Sequence, residues 1–299
     1  MAHDHHHPGH HHHSGGNIKI AFFLNLGFTI LELIGGFWIN SVAIMSDALH
    51  DLGDSLSLGL AWYFEKLSKK GSDQNFSYGY KRFSLLGAVI NSVILLVGSF
   101  IILSEAIPRI WDPQEVHAPG MIGFAVLGIV VNGAAVLRLK SDSTINERVV
   151  RLHLLEDVLG WVAVLVGGIL LYFFDIPVID PLLSVGITLF VLYNVYKNLR
   201  QSMKILLQGT PPDVDMDAVR ERLEQIQEIR AVHHLHAWTL DGTYNILTLH
   251  AILNEDLPLQ QTESIKERIR AAMKDMNVQH VTVELETPGK EELHKHCSY

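Results

Sequence analysis

Apolar residues in this chain run in long blocks rather than in short alternating stripes, and several blocks are free of charge. Residues 83–104, 118–137, 158–174 and 181–196 contain no Asp, Glu, Lys or Arg. About 20 apolar residues in a helix cross the hydrocarbon core of a bilayer, so each block predicts a membrane helix. Two further blocks are interrupted in their interiors: 18–40 holds Glu32, and 41–66 holds Asp47, His50, Asp51 and Asp54. The pattern predicts six membrane helices between residues 18 and 200. It predicts no cleavable signal peptide, because residues 1–17 are polar and the first apolar run is long.

The cations are distributed unevenly around these blocks. Lys66, Lys69, Lys70, Lys81 and Arg82 lie between blocks two and three, and Arg138, Lys140, Arg148 and Arg151 between four and five. Lys19 stands at the start of block one, and Lys197, Arg200 and Lys204 close block six. On the opposite side the loop 108–117 carries only Arg109. The positive-inside rule then puts both termini in the cytoplasm. After Gln208-Gly209-Thr210-Pro211-Pro212, a cluster of helix breakers, the pattern changes. Val219, Leu223, Ile226 and Ile229 have helical spacing over 213–229. Strand-like runs at 231–240 and 243–253 flank Asp241-Gly242, a hairpin signal. A helix over 258–276 and a strand over 279–286 follow. The order αββαβ predicts a small α+β domain of ferredoxin-like type on the cytoplasmic side. The expected fold class is thus a membrane α-helical protein: six transmembrane helices, then the α+β domain. The expected divisions are a disordered His-rich tail at 1–17, a six-helix membrane domain at 18–207, the α+β domain at 208–288 and a tail at 289–299.

Composition sharpens this picture. Of 299 residues, 18% are charged and 48% hydrophobic, against about 25% charged in ordinary soluble domains. The formal net charge of −9 speaks against a nucleic-acid partner, which needs a basic face. The single cysteine, Cys297, excludes an intramolecular disulfide and a four-cysteine zinc site. Histidine is abundant, with 18 residues.

Ionisable residues inside a membrane helix are costly, which makes them candidates for function. Asp47, His50 and Asp54 share one stripe of helix two, and His50 and Asp54 stand four apart. Helix five repeats the spacing with His153 and Asp157. Thr144 and Glu147 have capping-box spacing, so helix five is expected to start near residue 145. One imidazole and one carboxylate from each of two helices make a His2Asp2 set. Four nitrogen and oxygen ligands suit tetrahedral zinc, whereas magnesium favours oxygen and water.

Ser41-Val42-Ala43-Ile44-Met45-Ser46-Asp47-Ala48-Leu49-His50 with Asp54, and His153-Leu154-Leu155-Glu156-Asp157, resemble the cation diffusion facilitator family of metal–proton antiporters. So do Asn25, Glu32, Gly35 and Gly36 on helix one, Phe76-Ser77-Tyr78-Gly79-Tyr80 before helix three, and the αββαβ domain. The resemblance covers about 18–288. It implies a homodimer and a transport site at His50, Asp54, His153 and Asp157. Members with that ligand set are mostly zinc exporters, with protons as the counter-substrate. It also implies a cytoplasmic metal site at His233, His250 and Glu284, and more weakly Glu263. His236 and Trp238 resemble a structural His-x-Trp signature. His234 is expected to be solvated. His280 and the tail His294-Lys295-His296-Cys297 offer a further zinc-suited set.

Three departures stand out. Some members hold a metal in the loop between helices two and three, with His where this chain has Phe76 and Tyr80. That site is expected to be absent and Asp73 to be solvated. Many members carry a His-rich loop between helices four and five, but here 141–149 has no His. The His tract lies instead at His3, His5–His7 and His10–His13, where composition suits weak, disordered zinc binding.

The expected function is proton-coupled export of zinc, with cadmium as a further candidate, through a bacterial inner membrane. The chain has no Walker loop to supply ATP drive, and zinc is both cargo and candidate structural ion. Export of cobalt, nickel or iron is the alternative. An intramembrane zinc enzyme is the remote one. It would need an open metal position and a general base, and the chain has no H-E-x-x-H motif.

Overall fold

The computed structural model describes residues 14–138 and 145–288, without the side chains of 14–21, 61, 62, 65 and 138–153. Six long helices come first: α1 Ser14–Ile39, α2 Val42–Ser68, α3 Phe83–Trp111, α4 Ala118–Arg138, α5 Ile145–Phe174 and α6 Ile179–Leu206. Then follow α7 Met216–Glu224, β1 Ile229–Thr239, β2 Asn245–Leu253, α8 Leu259–Lys274 and β3 His280–Glu286. The chain divides into two compact units. One holds the residues up to Lys66 and Gly87–Leu199; the other joins Leu67–Leu86 to the residues from Arg200 onward.

Five of the long helices, α1 and α3 to α6, are long and apolar enough to cross a membrane. The sixth, α2, is 27 residues long, and its polarity is concentrated at Asp47, His50, Asp51 and Asp54. Starting at Ser14, α1 takes in residues expected in the tail. Small residues let the helices approach. A Cβ on Gly128 of α4 would come within 2.2 Å of the Trp161 ring of α5, and one on Gly98 of α3 within 2.4 Å of Leu49 of α2. Trp161 is fully buried and meets Phe28 of α1 edge to face, with ring centroids 6.2 Å apart.

The α+β domain has its own core. Ile265, Ile269 and Met273 form an i, i+4, i+8 stripe on α8 and pack with Val219 and Leu223 of α7 against Leu247, Leu249 and Ala251 of β2. Each such side chain contributes about 1.5–3 kcal/mol by leaving water. β1 pairs antiparallel with β2, and β2 parallel with β3. The parallel pair needs a crossover, which α8 supplies. α7 is shorter than expected. It begins after Asp215, whose carboxylate accepts from the N–H groups of Asp217 and Ala218 at 3.0 and 3.2 Å, a standard N-cap. With both helices on one face, the alternate positions of the strands are left on the other.

Candidate metal sites

The bundle brings His50 and Asp54 of α2 together with Asp157 of α5. One ligand atom from each lies within 4.8 Å of the others. His50 Nε2 is 3.5 Å from Asp157 Oδ1 and 3.9 Å from Asp54 Oδ2. Asp157 Oδ1 is buried and has no hydrogen-bond partner among the described residues. A cavity of about 450 Å³ opens there, lined by Asp47, His50, Asp157 and Gly160, and by Ile187 and Phe190 of α6. The Phe190 ring meets His50 edge to face at 6.4 Å. His153 lies on α5 one turn before Asp157, but its side chain is outside the described residues.

More carboxylates surround the cluster. Glu32 of α1 is fully buried, and Asp47 and Asp51 are only 5% and 6% exposed. Asn25 of α1 donates to the Asp51 carbonyl at 3.2 Å and to Ser55 Oγ at 3.0 Å, tying α1 to α2. Buried carboxylates are expensive unless cations or protons neutralise them. Among the described residues the pocket sets one imidazole among several acids, a donor set chemically able to take a cation or protons.

The second cluster lies on the open face of the sheet. Register sets His233 of β1 opposite His250 of β2, and His250 beside Glu284 of β3. His250 Nε2 is 3.4 Å from Glu284 Oε2. Two residues join that the family resemblance does not assign to the site. Glu286 is 5% exposed and reaches both imidazoles, His250 Nδ1 at 2.7 Å and His233 Nε2 at 3.1 Å. His234, expected in solvent, is half-buried, its ring centroid 5.0 Å from those of His233 and His250. The cause is a β-bulge. His233 pairs with His250 and His236 with Thr248, so β1 holds one residue more than β2 over that stretch. His234 occupies the left-handed region at φ 50°. A bulge lets neighbouring residues serve one face, which regular alternation forbids. His233, His234 and His250 offer ring nitrogens within 4.8 Å of one another, and so do His250, Glu284 and Glu286 with their ligand atoms. Imidazoles and carboxylates at that spacing fit zinc.

Other candidates stand apart. Glu263 of α8 pairs with Lys266 at 3.5 Å and Arg270 at 3.7 Å. His236 is exposed and lines a cavity with Trp238 and Arg220. His280 opens β3, edge on to Tyr78 at 6.0 Å. Cys297 with its tail, the loop 141–144 and the tract His3–His13 lie outside the described residues.

Asp73 also differs from expectation. Its Oδ2 accepts from Tyr80 Oη at 2.7 Å and faces Lys70 Nζ at 3.2 Å. Its Oδ1 accepts from the N–H groups of Asn75 and Phe76 at 2.9 Å. The Tyr80 hydroxyl first, then those N–H groups and Lys70, hold its carboxyl below the usual carboxylate range. An ammonium and a phenol organise this loop, with the Phe76, Tyr80 and Phe83 rings in tilted and edge-to-face contact.

Comparison with known proteins agrees with both halves. Residues 18–207 match the cation efflux transmembrane domain, and residues 211–288 the cytoplasmic domain of cation efflux proteins. The chain is 36% identical to the cadmium, cobalt and zinc/H(+)-K(+) antiporter of Bacillus subtilis over 99% of this chain and 94% of the relative. It is 32% identical to the metal cation efflux system protein CzcD of Cupriavidus metallidurans, over 95% and 89%. It is 30% identical to the zinc transporter ZitB of Escherichia coli, over 96% and 93%. The family and these relatives are transporters rather than enzymes. The chain belongs to the cation efflux proteins, the cation diffusion facilitator family.

Proposed function

We propose that this protein is a proton-coupled antiporter that exports zinc, and cadmium with it, from the cytosol through His50, Asp54, His153 and Asp157. The observation that carries the reading is the convergence of His50, Asp54 and Asp157 from two helices to within 4.8 Å. The relatives named as zinc transporters and as a cadmium, cobalt and zinc antiporter support the choice of metal.

The exchange follows from ligand chemistry. Zinc takes neutral imidazole and ionised carboxylate, so its binding expels protons. Protons arriving from the far side re-protonate the ligands and release the metal. Histidine titrates near neutrality, which makes ordinary pH gradients sufficient. Glu32, Asp47 and Asp51 add negative charge that favours any cation entering the bundle. The transport domain is taken as 18–207 and the metal-binding dimerisation domain as 208–288, working as a homodimer in a bacterial plasma membrane with both termini cytoplasmic. In the α+β domain, His233, His250 and Glu284, with Glu286 and His234 beside them, would hold a structural or regulatory zinc. Such an ion would link three strands as a Lewis acid.

A second reading is export of cobalt, favoured by the printed name of the Bacillus subtilis relative; nickel and iron follow from the same ligand types. Zinc uptake into inside-out membrane vesicles tests the proposal. An acidic lumen should drive uptake, and collapse of the gradient should stop it. Uptake indifferent to the gradient would overturn proton coupling, and uptake of cobalt alone would overturn the choice of metal.

A further inference from the structure

The seam between α2 and α6 carries a buried polar row that the transport chemistry leaves unused. Asp180, Ser184 and Thr188 stand at i, i+4 and i+8 of α6 and so share one face. All three are buried, as are Ser41 and Ser46 at the start of α2. The Asp180 carboxylate accepts from the Ser41 hydroxyl and from the N–H groups of Val42 at 2.8 Å and Ala43 at 3.3 Å. Ser41 Oγ itself accepts from the N–H of Ile44 at 3.2 Å. The first N–H groups of a helix have no partner within it. Here a carboxylate from another helix takes two of them, and its charge faces the positive end of the α2 dipole.

Lower on the seam, Ser46 Oγ lies 2.6 Å from Ser184 Oγ and 3.3 Å from Thr188 Oγ1. Ser46 is one turn from His50. The same α6 continues down to the ion cluster, where Ile187 and Phe190 line its cavity. A polar group stranded in hydrocarbon costs several kcal/mol. Sliding α2 along α6 by a single residue, about 1.5 Å, would break the cap and the Ser46–Ser184 pair together. The axial register of α2 is therefore discrete, and it sets the height of His50 and Asp54.

We propose that Asp180 is a positioning residue of the ion site. Through its cap on α2, with Ser184 as a second grip, it fixes the height at which His50 and Asp54 meet Asp157. The inference rests on reading those three residues as transport ligands.

The test uses the full chain in proteoliposomes, with zinc and cadmium as probes. Loss of a helix cap is worth roughly tenfold in an equilibrium constant, so Asp180→Ala should raise the zinc KM by about tenfold. Cadmium is larger and tolerates longer ligand distances, so its KM should rise less. Asp180→Asn keeps an acceptor oxygen and should recover part of the loss. Ser184→Ala removes one hydroxyl only and should shift the zinc KM in the same direction. It decides the matter should Asp180→Ala fail to fold. A folded Asp180→Ala protein with the wild-type zinc KM, or equal shifts for both ions, overturns the proposal. So does a wild-type zinc KM in Ser184→Ala if Asp180→Ala does not fold. His50→Ala is measured alongside. If it transports zinc normally, the transport reading itself falls. If it is inactive while Asp180→Ala keeps the wild-type KM, the positioning role alone falls.

Discussion

His50 of α2 faces Asp157 of α5 with Nε2 and Oδ1 3.5 Å apart. That gap exceeds an ordinary charge-assisted hydrogen bond of about 2.7–2.9 Å. Asp157 Oδ1 is buried and has no hydrogen-bond partner among the described residues, and Asp54 Oδ2 lies 3.9 Å from the same His50 Nε2. Zinc bonds nitrogen and oxygen at about 2.0–2.2 Å, so two ligands of one ion sit naturally about this far apart. The pair is spaced for an ion between its members.

Selectivity should follow the nitrogen ligand. His50→Asp replaces a borderline donor by a hard one and should raise manganese transport relative to zinc. Competition between the two ions in proteoliposomes measures this, and an unchanged ranking would place selectivity elsewhere.

The open sheet face of the α+β domain should respond to zinc. The domain has its own core, so residues 208–299 are expected to fold alone. Zinc at a hundredfold excess over its dissociation constant should stabilise them by about 2.7 kcal/mol. The combined His233→Ala, His250→Ala variant should lose the effect, and Glu286→Gln should weaken it. Calorimetry giving one melting temperature with and without zinc would reject the site. Stabilisation retained in the double variant would move it toward His280 and the C-terminal tail.

The loop of Lys70, Asp73 and Tyr80 should keep its order when metals are chelated. The depressed Asp73 pKa fixes the sign of its pH dependence. A lowered folded-state value contributes stability above the unfolded carboxylate pKa, about 3.9, and that stability is lost as pH falls through the folded value. Protease resistance of the loop should persist at pH 4 and fail only below it. Tyr80→Phe should move the failure toward higher pH. Loop cleavage induced by chelator at neutral pH would contradict this account.

Much of this was legible in the sequence. Charge-free runs mark the helices because a bilayer tolerates little else. The αββαβ order is visible because period and turn chemistry change together after Gln208. Partnerships across elements were legible only where the family resemblance supplied them, as for His50 and Asp54 with Asp157. The bulge that turns His234 inward has no local signature, and strand alternation puts Glu286 on the face of His280 and Glu284 without showing that it reaches two imidazoles. Asp180 resembles a helix-start residue of α6, and only the fold reveals that it caps α2.

The most direct measurement follows zinc and protons together in proteoliposomes carrying lumenal dyes for both. The wild type should admit zinc while protons leave. Folded Asp157→Ala protein should support neither movement. Proton-driven zinc flux persisting in that variant would contradict the assignment of the ion site to α2 and α5.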